Sequence, residues 1–260
     1  MKATLYDIKG AKKGEITLPA LFDSKIRDDL VQKSYEAFKF ASMQPYFSYA
    51  EAGKRHSASG TISHQRHKWK GHYGKGISRA PRKTMWRRGT QFFWVGAEVS
   101  GARGGRRAHP PKPNYIRKIN KKERALAFNS VLAATAHDKY ISSRYSTLVK
   151  SDLKFPVVIE SVDFRKMKSK EMIHLLKHIL GKVFPLALKK KSVRPGKGKM
   201  RGRKYKSNAG ILIVTSNSED LKMKGLDIKQ VNELRIQDFY PLGRLTIFTE
   251  KSLQELGASK

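Results

Sequence analysis

The 260-residue sequence contains no cysteine. Disulfides, thiolate metal sites and thiol catalysis are thereby excluded. No stretch approaches the roughly 18 consecutive apolar residues that a membrane-spanning helix needs. The N-terminal residues also lack the basic-then-apolar pattern of an export signal, so neither insertion nor export is expected. Acid is scarce as well: 21 Asp and Glu stand against 55 Lys and Arg, a formal net charge of +34. A compact chain with that surplus repels itself, and a polyanion that neutralises it is the natural partner. Nucleic acid therefore ranks ahead of a membrane surface or a merely solvated basic exterior.

The charge is localised. Between Glu51 and Pro113 there are 15 Lys or Arg and two carboxylates, Glu51 and Glu98, a net +13. Between Lys189 and Lys206 there are ten cations and no acid. The first segment also holds ten glycines, five of the eight histidines and all three tryptophans. With neither helical nor strand periodicity it reads as a very long loop, and loops beyond about 15 residues are usually functional or disordered. Disordered linkers are poor in aromatics, whereas here Trp69, Tyr73, Trp86, Phe92, Phe93 and Trp94 alternate with cations. Such a segment is expected to order on a partner.

Hydrophobic residues make up 39% of the chain, enough for one real core. Residues 2–8 alternate weakly and suggest an edge strand. A helix is expected from about Ser24, an N-cap candidate, with Ile26, Leu30, Phe38 and Ala41 on one face, stopping before Pro45. Phe128, Val131, Leu132 and Thr135 fall at helical spacing among small residues. The second half alternates strands and helices: a run from Phe155 to Ile159, a helix capped at Ser169 and ending at Gly181, and a run from Ile211 to Val214. Val231 to Ile236 and Leu245 to Phe248 follow as expected strands, then a closing helix with Leu253 and Leu256. The pattern predicts an α/β fold, a mainly parallel sheet covered by helices. Residues 1–44 and 114–260 would form the globular domain, with 45–113 a long, extended, basic internal loop.

Enzyme signatures are weak. A nucleotide-binding α/β protein places a glycine-rich turn directly after a strand. Here Ile159 is followed by Glu-Ser-Val-Asp and Val214 by Thr-Ser-Asn-Ser. The glycines of residues 68–76 and 196–199 miss the spacing of a phosphate-binding loop. His56, His64, His67 and His72 invite a zinc reading, but they lie among cations with a single nearby carboxylate, Glu51. Glu160, Asp163 and Asp220 fall near expected strand ends, where turn and cap roles account for them. No catalytic residue, metal or cofactor is expected. The rival class is an RNA-processing or RNA-modifying enzyme with basic capture segments, which would need acid–base or metal-ligand groups beside the RNA surface.

Lys and Arg neutralise phosphates without sequence choice, while aromatic and guanidinium faces stack on unpaired bases. The interleaving of Trp, Tyr, Arg, His and Gly therefore favours irregular RNA over duplex DNA. At about 3.3 to 3.6 Å per residue, some 30 residues out and 30 back reach on the order of 100 Å at most.

The motifs QPY at 44–46, AGKRHSA at 52–58, GGRRAHPPK at 104–112, LAATA at 132–136, RPGKGKMRGRKYK at 194–206 and LGRLTIFTE at 242–250 carry a resemblance. Over nearly its whole length the chain resembles the universal large-subunit ribosomal protein four family, in its archaeal and eukaryotic branch. Pro195 and Gly202 stand where Ala and Asn are expected, a local departure. The chain ends at Lys260 without the basic tail of eukaryotic members, so an archaeal source is expected. The resemblance implies a globular domain on the outside of the large subunit and a loop running through large-subunit rRNA to the wall of the polypeptide exit tunnel. Neighbouring large-subunit proteins are implied partners, and no membrane is. Carried over by position, the loop stem includes Lys54, Arg55, Arg103, Arg106, Arg107 and Lys112. In and beside the inner part, Arg66, Lys68, Lys70, His72, Lys75, Arg79, Arg82, Lys83, Arg87 and Arg88 would meet RNA, and Trp69, Tyr73 and Trp86 would stack or wedge. Lys197, Lys199, Arg201, Arg203 and Lys204 form the expected second rRNA contact.

Overall fold

Short apolar runs that bury both faces belong to central parallel strands, and three of them lie among the described residues. The computed structural model describes residues 1–258 except 46–50, 52, 57, 59–64, 68–72, 75, 77, 90, 104, 106–115, 146–152, 162–166, 222 and 224, together with the backbone alone at 84, 87 and 92. Internal packing divides the chain into two units, Met1–Ala41 with Arg117–Lys260, and Ser42–Ile116.

In chain order the first unit comprises β1 (Lys2–Tyr6), β2 (Lys12–Thr17), α1 (Asp28–Ser42), α2 (Lys121–Thr135), α3 (Asp138–Arg144), β5 (Val157–Ile159), α4 (Ser169–Leu180) and α5 (Phe184–Ala187). There follow β6 (Lys191–Val193), β7 (Tyr205–Ser207), β8 (Leu212–Thr215), β9 (Asp227–Gln230), α6 (Ile236–Phe239), β10 (Thr246–Thr249) and α7 (Glu250–Ala258). The second unit contributes β3 (Arg82–Arg88) and β4 (Gln91–Gly96). Six strands form one sheet in the order β2-β1-β5-β10-β8-β9, parallel except for β2. The expected α/β class with a mainly parallel, helix-covered sheet is thus observed. Among the described residues no helix is long and apolar enough to cross a membrane.

Alternation inside the apolar runs builds two cores from one sheet. Val157, Ile159, Ile211, Ile213, Leu245 and Ile247 face one side and pack on Met172, Leu175, Leu176 and Ile179 of α4. Val158, Leu212, Val214 and Phe248 face the other and pack on Val131 and Leu132 of α2 and Leu253 and Leu256 of α7. Phe22 meets Phe248 edge to face at 5.5 Å, an aromatic contact beyond simple area burial.

Four local expectations are corrected. β1 is not an edge strand: the polar Lys12–Thr17 folds back against it and takes the edge, with Ala3 opposite Ile16. Ser24 does not cap α1. It closes a short 3-10 turn, Ala20–Asp23, and the extended link beyond is held where the Ser130 hydroxyl accepts the Arg27 N–H at 3.2 Å. Helix α1 begins at Asp28 instead, where the Arg27 guanidinium holds the Asp29 carboxyl down to about 2. The helix buries Val31 and Ser34 while Phe38 stays 40% exposed. Val231 to Ile236 is a 3-10 turn leading into α6, and the strand is the preceding Asp227–Gln230. That edge strand is half-buried throughout, so polar residues serve it and the apolar signal falls after it. Finally, residues 82–96, read as structureless, hold the β3–β4 hairpin, with a bulge between Thr84 and Trp86 that breaks its alternation.

Candidate nucleic-acid interface

Residues 189–208 form a small projecting element. Strands β6 and β7 pair antiparallel, Lys191 with Ser207 and Val193 with Tyr205. Between them a 3-10 turn, Lys197–Arg201, is bracketed by Gly196 at φ +79 and Gly202 at φ +74. Those left-handed positions let the chain reverse twice, and a side chain there would be strained. The Arg194 N–H donates to the Lys204 carbonyl at 2.8 Å and its Nε to the Arg203 carbonyl at 3.3 Å. Arg194 thus braces the hairpin from within. Lys191 Nζ lies 4.1 Å from the Tyr205 ring centroid and Lys204 Nζ 5.6 Å, so both ammonium groups are held over one aromatic platform.

Lys197, Lys199, Arg201, Arg203 and Lys204 are all exposed on this element, with Met200 76% exposed at its tip. Of the ten cations from Lys189 to Lys206, Lys189 alone has an ion pair among the described residues, to Asp227 at 3.5 Å. Like charges packed this densely on one hairpin repel one another and await an anion.

The hairpin base rests on Asn208, whose Oδ1 accepts the Lys190 N–H at 2.6 Å and whose amide donates to the Leu188 carbonyl at 2.8 Å. Asn208→Ala keeps every cation and removes both bonds. It should cost about 1 kcal/mol locally and speed amide exchange across residues 190–206. Exchange as slow as in the parent would show that the base is held by other contacts.

In the second unit, β3 and β4 set Trp86 opposite Phe93, rings stacked at 6.1 Å and 6° between planes. Each ring remains about half exposed, 51% and 50%. Lys83 and Arg82 are half-buried, Arg88 is exposed, and Gly89 turns the chain at φ +57. Arg79 lies 5.4 Å from the Tyr73 ring centroid. Arg66 runs across Gly74, where an added Cβ would meet its Cγ at 2.9 Å. Lys54, Arg55 and Arg103 are exposed. Lys68, Trp69, Lys70, His72, Lys75, Arg106, Arg107 and Lys112 lie outside the described residues, as does the side chain of Arg87.

Among the described residues of this unit, both acids and His56 are engaged. Arg55 pairs with Glu51 at 3.3 Å, and Glu98 sits 4.0 Å from His56. His56 Nε2 lies 2.6 Å from the Gly53 carbonyl and Nδ1 accepts the Ala58 N–H at 3.0 Å, an arrangement that assigns the proton to Nε2. His67 is exposed, while His64 and His72 lie outside the described residues.

Ligands of open α/β sheets bind beyond the carboxyl ends of the strands. Here the polar groups at those ends hold the fold. Lys13 pairs with Glu160 at 2.5 Å. Buried Glu219 accepts from the Ser216 N–H at 3.0 Å and the Thr249 hydroxyl at 2.7 Å. Glu255 of α7 accepts from Ser216 and from both nitrogens of Asn217. Asp220 is exposed and Asp163 lies outside the described residues.

Sequence reasoning missed Phe93, Arg194 and Tyr205 as members of these surfaces. Each is local to a motif it did single out, but the cross-strand pairing that puts Phe93 on Trp86 has no signature along the chain.

Fold and surface together define a class: a basic α/β protein whose charge is carried on an exposed hairpin and an inserted unit rather than around a cleft. The chain belongs to the Ribosomal protein L4/L1 family, whose model matches residues 16–259. It is similar to the large ribosomal subunit protein uL4 of Nanoarchaeum equitans, 36% identical over 272 residues that cover all of this chain and 99% of that protein. The uL4 protein of Thermoplasma acidophilum is 36% identical over 265 residues, 98% of this chain and 97% of that one. That of Methanocaldococcus jannaschii is 33% identical over 267 residues, 98% of each.

Proposed function

We propose that this chain is a structural constituent of the large ribosomal subunit, binds large-subunit rRNA, touches neighbouring ribosomal proteins, works in the cytoplasm and catalyses nothing. The observation that carries the reading is the match, over nearly the full length of both chains, to proteins named as large ribosomal subunit proteins. Two features of the surface support it. The 189–208 hairpin offers clustered, exposed cations for phosphate, and the Trp86–Phe93 pair offers a half-exposed aromatic face on which an unpaired base can stack. Residues 45–113 are, in this reading, the rRNA-penetrating segment. Lys54, Arg55, Arg103, Arg106, Arg107 and Lys112 belong to its stem, and residues 68–88 lie nearer the exit tunnel.

Sedimentation of the tagged chain through a high-salt cushion tests the assignment: it should remain with the large subunit, and recovery in the free pool would overturn it. The hairpin's role has its own test. Replacing Lys197, Lys199, Arg201 and Arg203 by Ala should flatten the dependence of log K on log salt by about 0.7 to 0.9 per lost phosphate contact, about 3 in all. An unchanged slope would remove the hairpin from the interface.

A further inference from the structure

The apolar stripe of α1 is split between two environments. Val31 enters the core, whereas Ser34, Ala37, Phe38 and Ala41, at helical spacing, line an open groove of about 760 Å³. Its other walls are Ile119, Ala125 and Phe128 from around α2, and Leu234, Ile236 and Gln237 at the start of α6. The floor is stiff, because Tyr35 stacks on Tyr240 at 3.9 Å and 13°. Lys121, Arg124 and Arg235 also line it, and none of the three has an ion pair among the described residues. The acids nearby are taken: Glu123 by Lys33 at 2.9 Å, Glu36 by Arg117 at 2.6 Å, and Asp238 by Lys229 at 3.9 Å and the Arg235 N–H at 2.9 Å. Two lining atoms, Ser34 Oγ and Gln237 Oε1, have no hydrogen-bond partner among the described residues. Both are shielded from solvent, so a partner reaching them must come with rotation of the side chain.

We infer that this groove docks a segment of another protein of the same particle, one that sets apolar side chains against Phe38 and Phe128 and carboxylates against Lys121, Arg124 and Arg235. The inference rests on the ribosomal reading above. An apolar groove rimmed by cations fits a helix or extended peptide with alternating apolar and acidic positions. RNA fits it less well: phosphate binding needs many cations, and this rim has three where the 189–206 segment has ten. A buried Gln237 carbonyl and Ser34 hydroxyl suit peptide N–H donors, which a protein segment supplies at every residue.

The test places a photo-crosslinking benzoylphenylalanine at position 38 of the full chain in assembled large subunits, with rRNA and proteins analysed separately. The crosslink should fall on a ribosomal protein, within a stretch containing at least two carboxylates. The double variant Phe38→Glu, Arg124→Glu should weaken retention of that same protein in salt-washed particles by about tenfold or more, the scale of an interface anchor. Both positions are exposed, so the fold should tolerate the changes, and circular dichroism of the purified variant checks it. Crosslinks to rRNA alone, or back to this chain, would overturn the inference. So would unchanged retention in a folded variant. A chain that enters the large subunit yet yields no protein crosslink sinks this inference alone, whereas a chain missing from the particle sinks the ribosomal reading and this inference together.

Discussion

Arg244→Met should lower stability by about 3 to 5 kcal/mol, the cost of leaving the partner of a buried ion pair uncompensated. Arg244 is 3% exposed. Its guanidinium donates to the Gly210 carbonyl at 3.2 Å, the Ala209 carbonyl at 2.9 Å and the Asp227 carboxylate at 2.6 Å, and also to the Asp238 carbonyl. One side chain thereby ties the entry of β8, the edge strand β9, α6 and the entry of β10 together. Arg144 works beside it on the carbonyls of Phe239 and Pro241. Against a typical total of about 5 to 15 kcal/mol, the loss approaches unfolding. Urea titration measures it, and a loss below about 1 kcal/mol would mean that water or neighbours replace the guanidinium. Asp227→Asn in the Arg244→Met background should recover part of the loss, since the stranded charge is gone.

The same pair has a pH signature. Burial works to raise the Asp227 carboxyl, but the hydrogen bond and charge of Arg244, with Lys189 behind it, outweigh burial and hold it below its ordinary value. A depressed folded pKa contributes stability above the unfolded carboxylate value of about 3.9, and that stability is lost as pH falls through the folded value. The gap between parent and Arg244→Met should therefore narrow below about pH 3.9. A gap that widened there would contradict the assignment.

Replacing residues 42–116 by a short Gly/Ser linker should leave the first unit folded and cripple RNA binding. Both hydrophobic clusters of the sheet lie within Met1–Ala41 and Arg117–Lys260. The cut ends are neighbours, because Arg117 pairs with Glu36 at 2.6 Å and lies 4.0 Å from the Phe40 ring centroid. The excision removes 15 of the 55 cations. If roughly six to ten of them meet phosphates, the slope of log K against log salt flattens by about 4 to 9. Retention in the large subunit under high salt should fail accordingly. Full retention would place the main anchor in the 189–208 hairpin instead. In particles assembled at low salt, tunnel density identical to the parent would remove the excised segment from the tunnel wall.

Much of the fold was legible along the chain because its signals are local. The face of α4 reads directly from Met172, Leu175, Leu176 and Ile179, and its end from Gly181 at φ +48. The central strands read from apolar runs, and the two cationic segments from charge that no core can absorb. The misreadings share one cause, which is that the strand a segment pairs with, rather than its own apolar pattern, decides what it becomes. Lys12–Thr17 is polar and becomes a strand because β1 offers it an edge. Asp227–Gln230 does the same beside β8, and Arg82–Arg88 beside β4. Phe38 and Ala41 sit on the same stripe as Leu30, yet no helix among the described residues covers them. Composition and motif thus settled by themselves that this is a cysteine-free, basic α/β chain of a ribosomal protein family, because charge balance and short-range spacing need no coordinates. Tertiary structure alone decided which apolar face stays open, which aromatic meets Trp86, and that Arg244, one cation among 55, lies inside holding three backbone carbonyls and a carboxylate. Those outcomes depend on contacts between separate strands and helices, and burial changes the energy of a charge more than any neighbour in sequence can.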